Sequence, residues 1–291
     1  QAAFCQMAFI APDAAVQGLV VLTGSPDRPV EQIPLDAVFP VLHGRNGEDG
    51  TIQGLFELAG IPYVGCGVAA SAIAMDKVFS RTIFDAAGIP QASWLWSRVT
   101  DYQRNPAVEI DRIEKQFTYP VFVKPANAGS SVGVSKAKNR EALTAALTLA
   151  FEHDTKAVIE EFIDGRELEI AVLGGDSPIA SCCGEIIPAN EFYDYEAKYH
   201  NAASRSILPA EISEQNYQKI KDYALRAFAA IDGAGLSRVD FFISNKDGRV
   251  LLNEINTLPG FTAISMYPKL MEHAGLSSQE LVTRLIELAL N

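Results

Sequence analysis

Two apolar runs near the C-terminus, residues 236–244 and 250–256, are separated by Asn245-Lys246-Asp247-Gly248. A short Asn/Asp/Gly turn between two strand-like runs is a strong hairpin signal. Folding the chain about Asp247 sets Asp240 opposite Glu254 and Arg238 opposite Asn256. Residues two apart on a strand share a face, about 6.6–7 Å from each other, so Glu254 and Asn256 point the same way. Val239, Phe241, Leu251 and Ile255 are expected on the other face. Oxygen donors without His or Cys suit Mg²⁺ or Mn²⁺, which keep several waters and bridge to phosphate oxygens. The same residues could also form a solvated face closed by ion pairs.

The rest of the chain reads as mixed α and β. In the first third, 37–42 reads as a buried strand and 51–59 as a helix stopped by Gly60. Residues 76–87 read as a second helix, capped by Asp76, with Val78, Phe79 and Ile83 on one face and Gly88 at its end. That alternation predicts an α/β region with parallel pairing. The middle third predicts strands at 121–124, 157–162 and 167–173, a small-residue turn at 128–133, and a helix from Asn139 to about Phe151. An antiparallel sheet with helices on one side would accommodate these. A strand at 179–187 and a helix at 213–231 flank a polar, aromatic-rich segment, 188–206. Segments of that length are commonly lids or binding loops, and this one is expected to order over bound ligands. Ser277-x-x-Glu280 is a capping box opening a last helix with Leu281, Leu285 and Ile286 inward.

Charge narrows the partners. Asp and Glu outnumber Lys and Arg by 36 to 24, so a phosphate-tracking nucleic-acid face would have to be built against the protein's own field. The uncharged run 58–75 contains Gly60, Pro62, Gly65 and Gly67, and reads as a loop–strand–helix passage rather than a membrane span. Cys5, Cys66, Cys182 and Cys183 form no C-x-x-C pair and read as small buried hydrophobes in a reducing cytoplasm. Lys124 ends an apolar strand just before Gly129-Ser130-Ser131-Val132-Gly133. Small residues let backbone N–H groups approach a phosphate while the lysine supplies charge. Neither G-x-x-x-x-G-K-[ST] nor G-x-G-x-x-G occurs.

Taken together, these strings resemble the ATP-grasp superfamily and, within it, the D-alanine–D-alanine ligases. They are Phe39-Pro-Val-Leu-His-Gly-Arg-Asn-Gly-Glu-Asp-Gly50, Met75-Asp-Lys77, Val123-Lys-Pro125, Gly129-Ser-Ser-Val-Gly133, Phe192-Tyr-Asp-Tyr-Glu-Ala-Lys-Tyr199, Arg238-Val-Asp240 and Asn253-Glu-Ile-Asn-Thr-Leu-Pro-Gly-Phe-Thr262. Their order matches the family's from about residue 36 to the C-terminus. The resemblance implies an N-terminal α/β domain (1–75), a central ATP-grasp domain (76–163) and a C-terminal ATP-grasp and catalytic domain (164–291), with ATP between the last two. It implies a cytoplasmic homodimer in peptidoglycan precursor synthesis, using ATP as co-substrate and two Mg²⁺ or Mn²⁺ ions, with D-alanine the substrate.

Residue by residue, the resemblance implies that Lys77 and Lys124 hold the phosphates, with the turn bearing Ser131 closing over them and Lys198 reaching the γ-phosphate. Glu160, Glu161, Phe162 and Ile163 match the adenine-binding linker, and Glu167 the ribose contact. Asp240, Glu254 and Asn256 match the metal ligands, with Glu254 bridging two ions. Arg238 and the Gly260 N–H match the oxyanion stabilisers. His43 and Ser130 match positions near the first alanine, Ser265 and Met266 those at the second alanine's carboxylate. Tyr199 matches a phenol tied to Ser130 that favours an amine over a hydroxyl nucleophile.

The family's Gly-rich, Glu-bearing first strand has no counterpart before Asp36, which the resemblance reads as an N-terminal strand and helix absent from this chain. D-alanine–D-lactate or D-alanine–D-serine ligases, and a non-catalytic ATP-binding remnant, are the alternative readings.

Overall fold

The computed structural model describes residues 6–129, 132–187 and 205–291. Ser130, Ser131, Lys198 and Tyr199, with most of segment 188–206, lie outside the described residues. The described residues form three sheets with helices packed against them. Strands β1 (Met7–Ile10), β2 (Gly18–Leu22) and β3 (Val30–Pro34) make an antiparallel three-stranded sheet. Helices α1 (Thr51–Ala59), α2 (Val68–Met75) and α3 (Lys77–Ala86) follow.

This first region corrects the sequence reading in its pairing. Residues 37–42 form no strand, and only Val38 bridges Tyr63, in parallel. Parallel pairing is confined there to that single bridge, while the sheet beside it is antiparallel. α1 ends as expected, with Gly60 left-handed at φ 63° and its N–H donating to the Glu57 and Phe56 carbonyls. α3 is capped by Asp76, whose carboxylate accepts from the Val78 N–H at 3.0 Å. Its buried residues are Val78, Ser80, Arg81 and Phe84, and Ile83 packs against the core beside them as expected. Phe79 lies outside instead, 56% exposed beneath the Lys156 ammonium.

The second sheet is antiparallel throughout, in the order β4-β7-β5-β6: β4 (Trp94–Arg98), β5 (Val121–Pro125), β6 (Ser135–Ala137) and β7 (Lys156–Glu161). Helix α5 (Pro106–Gln116), preceded by the short α4 (Val99–Arg104), and helix α6 (Arg140–His153) cover one face. Ile110, Ile113, Leu143 and Leu147 meet Val121, Val123 and Ile159 there. Because β5 alternates, burying Val121 and Val123 turns Phe122 and Lys124 to the opposite side.

The third sheet, β10-β9-β8-β11-β12, is antiparallel as well. It comprises β8 (Gly165–Gly174), β9 (Ile179–Ile187), β10 (Arg205–Ile207), β11 (Gly235–Ser244) and β12 (Val250–Asn256). Helix α7 (Glu214–Ala230) covers one face, where Phe228 and Ile220 pack on Leu168, Ile170, Val239 and Phe241. Alternation then sends Glu167, Glu169, Arg238 and Asp240 to the other face. Along that second face, helices α8 (Met266–His273) and α9 (Ser278–Leu290) cover Ala171, Leu173 and Leu236, and Cys182 and Ile186 of β9 pack against the same cluster. The charged half of the face is left to form a cleft.

The hairpin has the expected partners, Asp240 opposite Glu254 and Arg238 opposite Asn256, but the turn is not centred on Asp247. Near the turn the pairs are Ile243–Val250, Phe242–Leu251 and Phe241–Leu252, and Asn253 is an extra residue that shifts the register before Glu254. This bulge also exchanges two leucines. Leu252, not Leu251, joins Val239, Phe241 and Ile255 in the core beneath α7. The capping box at Ser277 and Glu280 is present, and Leu281 and Leu285 are buried, whereas Ile286 is 37% exposed. It lies beyond the stripe that Leu281 and Leu285 press on the sheet. Among the described residues no helix is long and apolar enough to cross a membrane.

Candidate functional site

A cleft of about 980 Å³ runs between the second and third sheets. Every predicted site residue that is described lines it: His43, Lys77, Lys124, Glu160, Glu161, Phe162, Ile163, Glu167, Arg238, Asp240, Glu254, Asn256, Gly260, Ser265 and Met266.

Two lysines stand on one wall. Lys77 opens α3, where its N–H donates to the Ala126 carbonyl and its Nζ to the Ala128 carbonyl, both at 2.9 Å. Enclosure pushes its ammonium below the ordinary lysine range, and Lys124 adds to this while Glu254 opposes it. Lys124 Nζ lies 2.8 Å from Glu160 Oε2, and Arg81 Nη2 lies 2.6 Å from Glu160 Oε1. Burial alone would raise the Glu160 carboxyl, but Arg81 and Lys124 hold it below its ordinary range. Both Glu160 oxygens are thus engaged within the protein.

The linker itself is pinned to both lobes. Glu161 Oε1 accepts from the Ser93 N–H at 2.8 Å, and the Asp164 carbonyl accepts from the Asn245 N–H at 2.8 Å. Phe162 rests against Phe122, ring centroids 5.9 Å apart, with the Lys136 ammonium 3.9 Å from its ring centre. Gly165 follows because β11 comes too close for a side chain: a Cβ there would lie 2.5 Å from the Ile243 carbonyl oxygen.

The facing wall carries the carboxylates. Arg238 donates to both Asp240 oxygens at 2.7 Å and lies 3.4 Å from Glu169. Burial works against its charge, yet Asp240, Glu169 and Glu254 together hold the guanidinium well above the ordinary range. Asn256 Oδ1 accepts from the Leu258 N–H at 3.1 Å. Among the described residues no group of three or more His, Cys, Asp or Glu side chains is assembled for a metal. Two carboxylates and an amide nonetheless fit a hard divalent ion that takes its remaining ligands from water and phosphate. A carboxylate bonded to one arginine also keeps lone pairs for a cation.

At the far end, Ser265 precedes α8, and its Oγ accepts from the Thr262 N–H at 3.0 Å. The helix N-terminus beside it favours an anionic group. Gly260 leaves room here, since a Cβ would fall 2.7 Å from Ser265 Oγ and 3.9 Å from His43 Cε1. Gly129, which starts the Gly/Ser turn, comes so near the 43–48 loop that a Cβ on it would sit 3.5 Å from the Gly44 Cα.

Sequence reasoning gave no role to Glu48 or to Arg81. Glu48 accepts from the Gly44 N–H and lines the cleft beside His43. Its carboxyl is raised by burial, and by Glu254, against the Gly44 bond and His43. Its place inside the Phe39–Gly50 string was the available signal. Arg81 lies one helical turn after Lys77, and that i, i+4 spacing was the available signal.

A family profile described as "D-ala D-ala ligase C-terminus" matches residues 83–287, and one described as "D-ala D-ala ligase N-terminus" matches residues 14–66. The chain is 58% identical over 255 residues to a D-alanine–D-alanine ligase of Acetivibrio thermocellus, covering 88% of this chain and 68% of that protein. It is 50% identical over 290 residues to that of Heliobacterium modesticaldum, covering 100% of this chain and 78% of that protein. Among solved structures, the VanG D-Ala:D-Ser ligase from Enterococcus faecalis superposes with TM-score 0.86 at 39% identity, over 98% of this chain and 79% of that one. The D-alanine–D-alanine ligase from Coxiella burnetii gives 0.82 at 36% identity, over 98% and 74%.

Proposed function

This chain belongs to the D-alanine–D-alanine ligase family, with its ATP-grasp fold, and on that premise we propose that it joins two D-alanines into D-alanyl-D-alanine with cleavage of ATP. An oxygen of the first D-alanine's carboxylate attacks the γ-phosphorus and ADP leaves. The amine of the second attacks the resulting acyl phosphate at carbon, losing a proton as phosphate departs. The identities of 50–58% to ligases named for D-alanine as both substrates support D-alanine as the second substrate.

The chemistry asks for cations that gather anions out of water rather than for a strong base. Lys77 and Lys124 neutralise the phosphates, Lys198 reaches the γ-phosphate, and the turn with Ser131 closes over them. The backbone from Glu160 to Ile163 receives the adenine, and Glu167 the ribose. His43 and Ser130 orient the first alanine, and Ser265 with the Met266 N–H holds the second's carboxylate. Arg238 and the Gly260 N–H stabilise the oxyanion at the carbonyl under attack, with Tyr199 and Ser130 favouring the amine. Asp240, Glu254 and Asn256 would hold two Mg²⁺ or Mn²⁺ ions, which when bound neutralise phosphate charge and polarise the phosphoryl group. The divisions at 75 and 163, a homodimer and a cytoplasmic location complete the reading.

The observation carrying it is that Lys77 and Lys124 face Arg238, Asp240 and Glu254 across one cleft. The test is oxygen transfer. With D-alanine labelled by ¹⁸O in its carboxylate, released phosphate should carry the label. Unlabelled phosphate formed alongside dipeptide would contradict the acyl-phosphate route.

A further inference from the structure

Arg81 is 2% exposed and touches no part of the cleft surface, yet it joins the two walls. Its Nη2 donates to Glu160 Oε1 at 2.6 Å and lies 3.4 Å from the carbonyl oxygen of Asn253, the bulge residue next to Glu254. Its Nη1 reaches Gln91 Oε1 at 3.4 Å, and its Nε has no acceptor among the described residues. Gln91 is itself bound to the Arg81 carbonyl at 2.9 Å. A buried ion pair stabilises a fold only with excellent geometry and fully satisfied donors. One short bond, two long ones and an idle Nε suit that role poorly.

The charges give a better account. Glu160 is shared, one oxygen to Arg81 and the other to Lys124. With Arg81 present the trio carries one net positive charge, and without it Lys124 and Glu160 cancel. We propose that Arg81 is a positioning residue for nucleotide binding. Its guanidinium neutralises Glu160 so that Lys124 keeps its charge for the phosphates, and it moors the Glu254 strand to the same point through Asn253. This rests on the nucleotide reading of the cleft.

The test is a charge-compensation cycle in the full-length protein, measuring the affinity of Mg-ADP relative to AMP by calorimetry. Arg81→Met should lower that ratio by on the order of tenfold, about the effect of one charge at intermediate dielectric. Glu160→Gln should leave it unchanged or raise it, and the double variant should return close to wild type. Mere damage to the fold would instead make the double variant at least as weak as Arg81→Met. Arg81→Lys keeps the charge and gives up the reach to Asn253, so ADP affinity should stay within about threefold of wild type while kcat falls. An unchanged ratio in Arg81→Met, or no recovery in the double variant, overturns the proposal. If Arg81→Met does not fold, a lowered ratio in Arg81→Lys or Glu160→Gln overturns it. Dipeptide formation by the wild type is scored separately: its absence with the cycle intact would refute the ligase reading alone, whereas a wild type that binds no ADP would refute both.

Discussion

Replacing Glu254 by Gln should separate stability from function. Asp240 and Glu254 are direct cross-strand partners, which puts their Cβ atoms about 5 Å apart. Two unit charges at that separation repel by about 3 kcal/mol at an effective dielectric near 20. Against this, Glu254 favours the charged forms of Lys77 and Arg238, so neutralising it withdraws support from two enclosed cations. The effects oppose each other, and the ligand-free variant should unfold in urea within about 1 kcal/mol of wild type. The liganded protein should differ sharply. Mg-ADP at a hundred times its dissociation constant stabilises a native protein by about 2.7 kcal/mol. If loss of one ligand weakens the site about a hundredfold, the same concentration gives the variant only about 0.4 kcal/mol. Parallel urea titrations with and without Mg-ADP measure this, and phosphate release on adding D-alanine and ATP measures turnover. Wild-type stabilisation by Mg-ADP together with wild-type turnover at saturating Mg²⁺ would refute the reasoning.

Two further perturbations follow from the geometry. Burial raises the Glu48 carboxyl above its ordinary value, so the native state holds that proton more tightly than the unfolded chain. The stability this contributes is present below the unfolded pKa and is lost as pH rises through the folded one. Glu48→Gln lacks that loss, so urea unfolding should find the variant gaining on wild type between about pH 4 and pH 7; a difference independent of pH would contradict the burial argument. Gly260→Ala places a Cβ 2.7 Å from Ser265 Oγ, displacing the hydroxyl from its Thr262 partner. Steady-state kinetics should show KM for the second D-alanine rising about tenfold with KM for ATP nearly unchanged; an equal rise in both would point to general disorder of the cleft.

What could be read from the chain divides along physical lines. Local signals held: Asp76 caps α3, Gly60 ends α1, and the capping box at Ser277 opens α9. The partners of Asp240 and Arg238 were legible because strand alternation needs only counting. The bulge at Asn253 was not, since no residue type marks it, and it alone turned Leu252 toward α7 in place of Leu251. Strands β1 to β3 escaped notice because they are short and half exposed, so their hydrophobic alternation is weak. Phe79 was misplaced because periodicity identifies a stripe without showing which edge meets the sheet. The Arg81–Glu160 pair spans 79 positions, and a contact that distant leaves no local pattern.

The central claim is that this cleft makes a dipeptide of D-alanine. The direct measurement is to incubate the protein, expressed from its full reading frame, with ATP, Mg²⁺, D-alanine and an equal amount of D-serine, then separate the products by chromatography. The account predicts D-alanyl-D-alanine as the main product, with one ADP and one phosphate per peptide bond. D-alanyl-D-serine as the main product, or phosphate release with no dipeptide, would contradict it.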